Sequence, residues 1–101
     1  MSQAVTLPDV FQYQDYRKYL REVLQARQKL SPEYTIAQFS RAIGFSSHAG
    51  LGMVLSGKRE LRPPYIDKCS KNLKLSLRQQ LYLEAMIRIA RQLTATGAMR
   101  F

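Results

Sequence analysis

Between Tyr13 and Lys29 the apolar residues Tyr16, Tyr19, Leu20, Val23 and Leu24 recur at three- and four-residue spacing. Arg17, Lys18, Arg21, Glu22, Arg27 and Lys29 fill the other side. That period predicts an amphipathic helix with a basic outer face, with Asp9 and Asp15 near its positive end. The tyrosines at 13, 16 and 19 follow core spacing rather than that of a base-stacking platform. Ser31-Pro32 breaks the helix. Ile36, Phe39, Ala42 and Ile43 then make a second apolar face, with Thr35 placed to cap it and Gly44 to end it. Phe45 is apolar and expected to point inward. Leu51, Val54 and Leu55 share a face in a third helix, expected over residues 46–56, with Ser46 or Ser47 as its cap and Gly57 as its end. Lys58 to Pro64 carries three cations and two prolines and reads as a loop, Pro64 suiting the first turn of the next helix. Ile66, Cys69 and Leu73 give a fourth helix over 65–73, and Ser76 caps a fifth over 77–93. No segment alternates with the period of a strand. The pattern therefore predicts an all-α protein, a compact five-helix bundle. Residues 1–10 form a flexible N-terminal arm, 11–93 the helical domain and 94–101 a frayed tail.

The fifth helix differs from the others. Apolar residues surround most of it, and only Glu84, Arg88 and Arg91 make a clear polar stripe. A helix apolar nearly all round needs partners on two sides. Leu83, Met86, Ile87, Ala90 and Leu93 are the candidate interface, for a second copy in a homodimer or for a further domain that this chain lacks.

Composition narrows the choice of partner. The 101 residues suffice for one domain with one modest core. Lys and Arg number 16 against 7 acidic residues, a net charge of +9 that favours a polyanion: DNA, RNA or an anionic membrane surface. No apolar stretch is long enough to span a membrane, and MSQAVTLPDV lacks the features of a signal peptide, so a cytoplasmic location is expected. Cys69 is the only cysteine, which excludes an internal disulfide and a thiolate metal cluster and suits a buried, inert thiol. His48 is the only histidine. Ser46, Ser47 and His48 are sequence neighbours, the wrong arrangement for a nucleophile and its base. No catalysis, cofactor or metal is expected.

Thr35 to Arg59 has the layout of a helix-turn-helix, whose second helix lies in the DNA major groove. Ser46, Ser47, His48, Ala49, Gly52 and Met53 would face base edges. Ser and His exchange hydrogen bonds there, and Ala49 and Met53 suit a thymine methyl. None is Arg, Asn or Gln, so modest direct readout and a large backbone contribution are expected. Lys58, Arg59 and Arg62 would clamp phosphates after the helix, with Arg41 doing so from the helix before it.

The stretch from Ile36 to Leu75 resembles the phage-repressor-like helix-turn-helix domains: Ser40 before Ile43-Gly44-Phe45-Ser46, then Gly57-Lys58-Arg59 and a Pro-led helix ending in Lys71-Asn72-Leu73-Lys74-Leu75. More narrowly, FQYQDYRKYLREVLQARQ, FSRAIGFSS and SGKRELRPPYIDKCSKNLKLS resemble the N-terminal part of a bacterial regulator-like family. Its members pair this domain with a longer C-terminal domain. The resemblance implies a bacterial, transcription-related role on double-stranded DNA and no enzymatic one. Two departures stand out. Gly50 occupies a position usually filled by a buried aliphatic or aromatic residue, and Gly52 follows it. Each glycine costs a helix about 1 kcal/mol relative to alanine, so this helix is expected to be marginal in isolation. The C-terminal domain is the second departure, which makes the chain a fragment or a short paralogue. Two other readings compete with a regulator: a protein-interaction adaptor with a degenerate helix-turn-helix, and a non-specific nucleic-acid binder driven by charge.

Overall fold

The computed structural model describes residues 7–95. They form five α-helices preceded by one 3-10 turn, and no strand occurs among them. The 3-10 turn, Val10–Gln12, is capped by Asp9, whose carboxylate accepts the Phe11 N–H at 3.1 Å. Val10 is buried in the core and Leu7 packs against it. The expected arm over residues 1–10 is therefore packed at its inner end, while residues 1–6 lie outside the described part. α1 spans Tyr16–Leu30 and begins at Tyr16 rather than Tyr13, because the Asp15 carboxylate accepts the Arg17 N–H at 2.9 Å and fixes the start.

α2 spans Ile36–Ala42 and opens with a reciprocal capping box between Thr35 and Gln38. Gly44 follows it at φ +103°, a left-handed conformation that favours glycine. α3 is Gly50–Leu55, α4 is Pro63–Asn72 with proline at its start, and α5 is Leu77–Ala95. Ser76 and Gln79 exchange hydrogen bonds at the entry to α5, the Gln79 N–H donating to Ser76 Oγ at 3.2 Å. The helix runs through Thr94 and Ala95, so the frayed tail expected from 94 does not start there; residues 96–101 lie outside the described part.

All five helices contribute to one core. Leu20 and Val23 come from α1, Phe39 from α2 with Ile43 just after it, and Leu51 and Val54 from α3. Ile66 and Cys69 come from α4, and Leu83, Met86 and Ile87 from α5. α1 packs on α3 and α5, α2 on α3 and α4, and α5 on the 3-10 turn and α4. The tyrosines behave as their spacing predicted, Tyr16 and Tyr19 buried and Tyr13 packed against the core.

Two expectations need correction. Leu83, Met86 and Ile87 were expected at an interface, but they are core side chains, and Ala90 is half-buried against the same core. The solvent-facing apolar residues of α5 are Leu77, Leu81, Ile89 and Leu93. All four are spaced at multiples of four residues and form a ridge, of which Leu77, Leu81 and Ile89 make the N-terminal part. The helix gives its 83/86/87/90 face to its own domain and leaves this second ridge outside. The third helix also starts late. It was expected over 46–56, yet Ser46 to Ala49 are bends and turns and regular helix begins at Gly50. The reason is local: Ser47 Oγ accepts the N–H of Ala49 at 3.1 Å, closing a tight turn instead of capping a helix.

Candidate nucleic-acid interface

α3 has six residues, two of them glycine, and no cap from a side chain of its own N-cap residue, Ala49. Intrinsic propensity cannot hold so short a helix. Its neighbours do. At the N-terminal end the buried Ser40 hydroxyl of α2 accepts the Leu51 N–H at 3.2 Å and donates to the Ser47 carbonyl at 3.0 Å. This is a helix cap supplied from another helix. At the C-terminal end, Arg17 Nε of α1 donates to the Val54 carbonyl at 2.7 Å and an Arg21 guanidinium N–H to the Leu55 carbonyl at 2.9 Å. Cations at the negative end of a helix are favoured there.

These contacts revise the outer face of α1. Arg17 and Arg21 bind backbone of α3, and Arg27 binds α4: one guanidinium nitrogen donates to Asn72 Oδ1 at 2.7 Å and another to the Asn72 carbonyl at 3.3 Å. Arg27 also lies over the rings of Phe39 and Tyr34, 5.1 Å and 5.8 Å from their centroids. Helical periodicity places these arginines outside. It does not show that their side chains reach back over neighbouring helix ends.

The turn before α3 is braced by aromatic packing. Phe45 is buried and stacks on Tyr65 of α4 with centroids 4.1 Å apart, and the Arg59 guanidinium lies over the Phe45 ring at 4.8 Å. Phe45 points inward, as expected. Gly50 sits directly beneath Phe45, where no Cβ fits. The glycine read as a departure is thus a packing requirement.

Ser46, Ser47, His48, Ala49 and Met53 are exposed, and Gly52 is half-exposed on α3. Buried Gly50 and Leu51 interrupt them, and four of them stand in the turn rather than on the helix. Arg41, Lys58, Arg59 and Arg62 are exposed as well. The Lys58 N–H donates to the Met53 carbonyl at 2.9 Å, which ties the basic loop to the end of α3, and Gly57 permits this with φ +88°. Sequence reasoning missed Lys68. Its alkyl chain lies against Gly44, whose Cβ would fall 2.7 Å from Lys68 Cδ and 3.2 Å from Nζ. The cation of α4 therefore joins the turn between α2 and α3. None of these five cations is paired with a carboxylate among the described residues, where the ion pairs are Lys71–Asp67 and Arg91–Glu60. Glu60, the only carboxylate within 58–62, is turned toward α5, with Arg91 Nε at 3.2 Å.

Elsewhere the titratable groups are structural. Burial pushes the Cys69 thiol up to about 12, which keeps it protonated and unreactive. The Tyr13 phenol donates to the Glu22 carboxylate and is raised to about 12, chiefly by that bond. Among the described residues no cluster of three or more His, Cys, Asp or Glu could hold a metal ion, and no helix is long and apolar enough to cross a membrane. Compared with known proteins, the chain matches no family model, no curated protein and no solved structure.

Proposed function

We propose that this chain is a DNA-binding transcriptional regulator, or the DNA-binding half of one, resembling the phage-repressor-like helix-turn-helix domains. In this reading α2 and α3 form the motif, and the exposed residues Ser46, Ser47, His48, Ala49 and Met53, with half-exposed Gly52, face the major groove. Arg41, Lys58, Arg59, Arg62 and Lys68 meet phosphates on either side. The observation that carries the proposal is the placement of three exposed cations on the motif itself, Lys58 tied to the end of α3, Arg59 over Phe45 and Lys68 against Gly44, with Glu60 drawn away to Arg91. A polyanion ligand compensates such a group of cations. The packing of Gly50 beneath Phe45 gives one of the two glycines of α3 a structural reason, which weakens the case for a degenerate motif and an adaptor.

Association belongs to the same reading. A second copy covering the Leu77–Leu81–Ile89 ridge would give a two-fold pair suited to a two-part operator. A non-specific binder is kept as the second reading by one observation: the exposed residues of the turn and α3 include no Arg, Asn or Gln able to read a base bidentately.

The experiment is fluorescence anisotropy on a random duplex pool at two salt concentrations, with sequencing of the bound fraction. Each neutralised phosphate adds about 0.9 to the magnitude of the log–log salt slope. Contacts from four of the five cations would give a slope of about −3.6. An enriched half-site supports the regulator, and a steep slope without enrichment supports the non-specific binder. Absence of binding at low salt overturns both. Replacing Ser47 and His48 by alanine should change the enriched sequence, whereas replacing Lys58 and Arg62 should weaken binding to all sequences alike.

A further inference from the structure

One guanidinium fixes the spacing between the two halves of the proposed interface. Arg17 Nε donates to the Val54 carbonyl at the end of α3, and a second nitrogen of the same group donates to the Arg59 carbonyl in the basic loop at 3.2 Å. The backbone between those carbonyls turns through Gly57 and carries Lys58. Arg17 is itself immobilised, because its guanidinium lies over the Tyr16 ring at 4.8 Å. Tyr16 is buried, and its hydroxyl accepts the Leu61 N–H at 3.4 Å, just past the same loop. Neighbouring residues of α1 thus hold positions 54, 59 and 61. Arg21 adds the Leu55 carbonyl.

We infer that Arg17, seconded by Arg21, is a positioning residue for nucleic-acid binding. It sets how far Lys58 and Arg59 stand from the groove-facing edge of α3 without itself touching the duplex. The inference rests on the DNA-binding reading above. Its chemistry is specific to the fork: a planar guanidinium reaches two separated carbonyls from different nitrogens, whereas a lysine ammonium of equal charge has all three donors on one nitrogen. A phosphate contact is a different role with a different signature, because only a phosphate contact releases a counterion.

The test uses the full chain with Arg17→Gln, Arg17→Lys and Arg21→Gln beside Lys58→Ala. Binding to a fixed duplex is measured across a salt series, with amide hydrogen exchange on the same samples to show that the core remains protected. Arg17→Gln should weaken binding about tenfold while leaving the log–log salt slope unchanged, and exchange should quicken at residues 54–60 before the rest of the core. Arg17→Lys should fail to restore affinity. Lys58→Ala should weaken binding and flatten the slope by about 0.9. If Arg17→Gln flattens the slope as Lys58→Ala does, Arg17 contacts phosphate and the inference is overturned. It is equally overturned if Arg17→Gln binds like the parent, or if Arg17→Lys binds as well as arginine. Should Arg17→Gln lose core protection, Arg17→Lys and the milder Arg21→Gln decide by the same slope criterion. Failure of the parent chain to bind any duplex at low salt is a separate result, and it removes the underlying reading together with this one.

Discussion

A Cβ built on Gly50 falls 2.5 Å from Phe45 Cδ1 and 2.6 Å from Cγ, distances that real contacts do not show. Phe45 has little room to retreat, since Tyr65 stacks on one side and Arg59 lies over it. Gly50→Ala should therefore lose about 1–3 kcal/mol to overpacking, offset by about 1 kcal/mol of helix propensity. At Gly52 the nearest foreign atom to an added Cβ is Ile36 Cδ1 at 3.8 Å, ordinary contact. Gly52→Ala should keep most of its propensity gain, up to about 1 kcal/mol. Urea unfolding should therefore leave the Gly50→Ala midpoint below that of Gly52→Ala, with a net loss of up to about 2 kcal/mol for the former; equal shifts would mean that Phe45 does not confine position 50. Both glycines are plain in the sequence, but only the structure separates the constrained one from the tolerant one, because the constraint comes from a ring five positions earlier. A second residue-scale prediction concerns alkaline pH. The folded state holds protons on Cys69, Tyr13, Tyr16 and Tyr19 more tightly than their ordinary values of 9.0 for the thiol and 10.0 for the phenols. The unfolded chain releases these protons first, so the stability these four groups contribute is fully present below about pH 9 and is lost as pH rises toward 12. Cys69→Ala should move the onset of that fall from about pH 9 toward 10, read as thermal midpoint against pH, whatever its effect at neutral pH.

At the scale of elements, α2, α4 and α5 were legible because each announces itself locally: Thr35 and Ser76 as caps, and Pro64 in a first turn, although α4 begins at Pro63 inside the stretch expected to be loop. α1 was legible as an apolar stripe, although its start was misplaced by the tyrosine at 13. α3 was legible only as an apolar triplet. Its start was placed too early because Ser46 and Ser47 look like caps, and its real cap, Ser40, belongs to another helix. A cap that acts across helices leaves no signature at fixed spacing, and neither do arginines that reach over a neighbour's last turn. The consequence is testable. Ser40→Ala leaves the buried Leu51 N–H without that partner, a loss of about 1–3 kcal/mol, while the Ser47 carbonyl still accepts the Gly50 N–H. Hydrogen exchange should show the deficit concentrated at residues 47–53, with α1 and α5 unaffected at low denaturant. Ser40→Thr keeps the hydroxyl and should retain protection at Leu51, if the added methyl is accommodated by a small shift of the turn. Uniform loss across all helices in Ser40→Ala would instead mean that α3 does not open separately from the core. The candidate site follows the same division. Its exposed side chains were readable by position, while the device that arranges them, Ser40 at one end and Arg17 with Arg21 at the other, was not.

For the whole molecule, the net charge of +9 and the apolar ridge on α5 pull in opposite directions. Two copies meeting through Leu77, Leu81 and Ile89 bring together two strongly positive bodies, and at low ionic strength that repulsion opposes a contact of only a few side chains. A duplex supplies the missing negative charge. Free chains at low salt should therefore be monomeric, while two chains should occupy a duplex carrying two half-sites about 34 Å apart with cooperativity. Salt then acts with opposite signs on the two equilibria. It weakens binding to DNA through counterion release, yet it strengthens self-association by shortening the Debye length from about 10 Å at 0.1 M to about 3 Å at 1 M. Sedimentation of the free chain across that range should show dimer growing with salt. Leu81→Lys with Ile89→Lys should abolish both the salt-induced dimer and the cooperativity, without weakening binding to a single half-site, because neither position lies near α3 in the chain or packs on it. A free dimer at low salt that survives both substitutions would place self-association on another surface. Independent binding to the two half-sites by the unmodified chain would mean that the ridge does not couple copies on DNA.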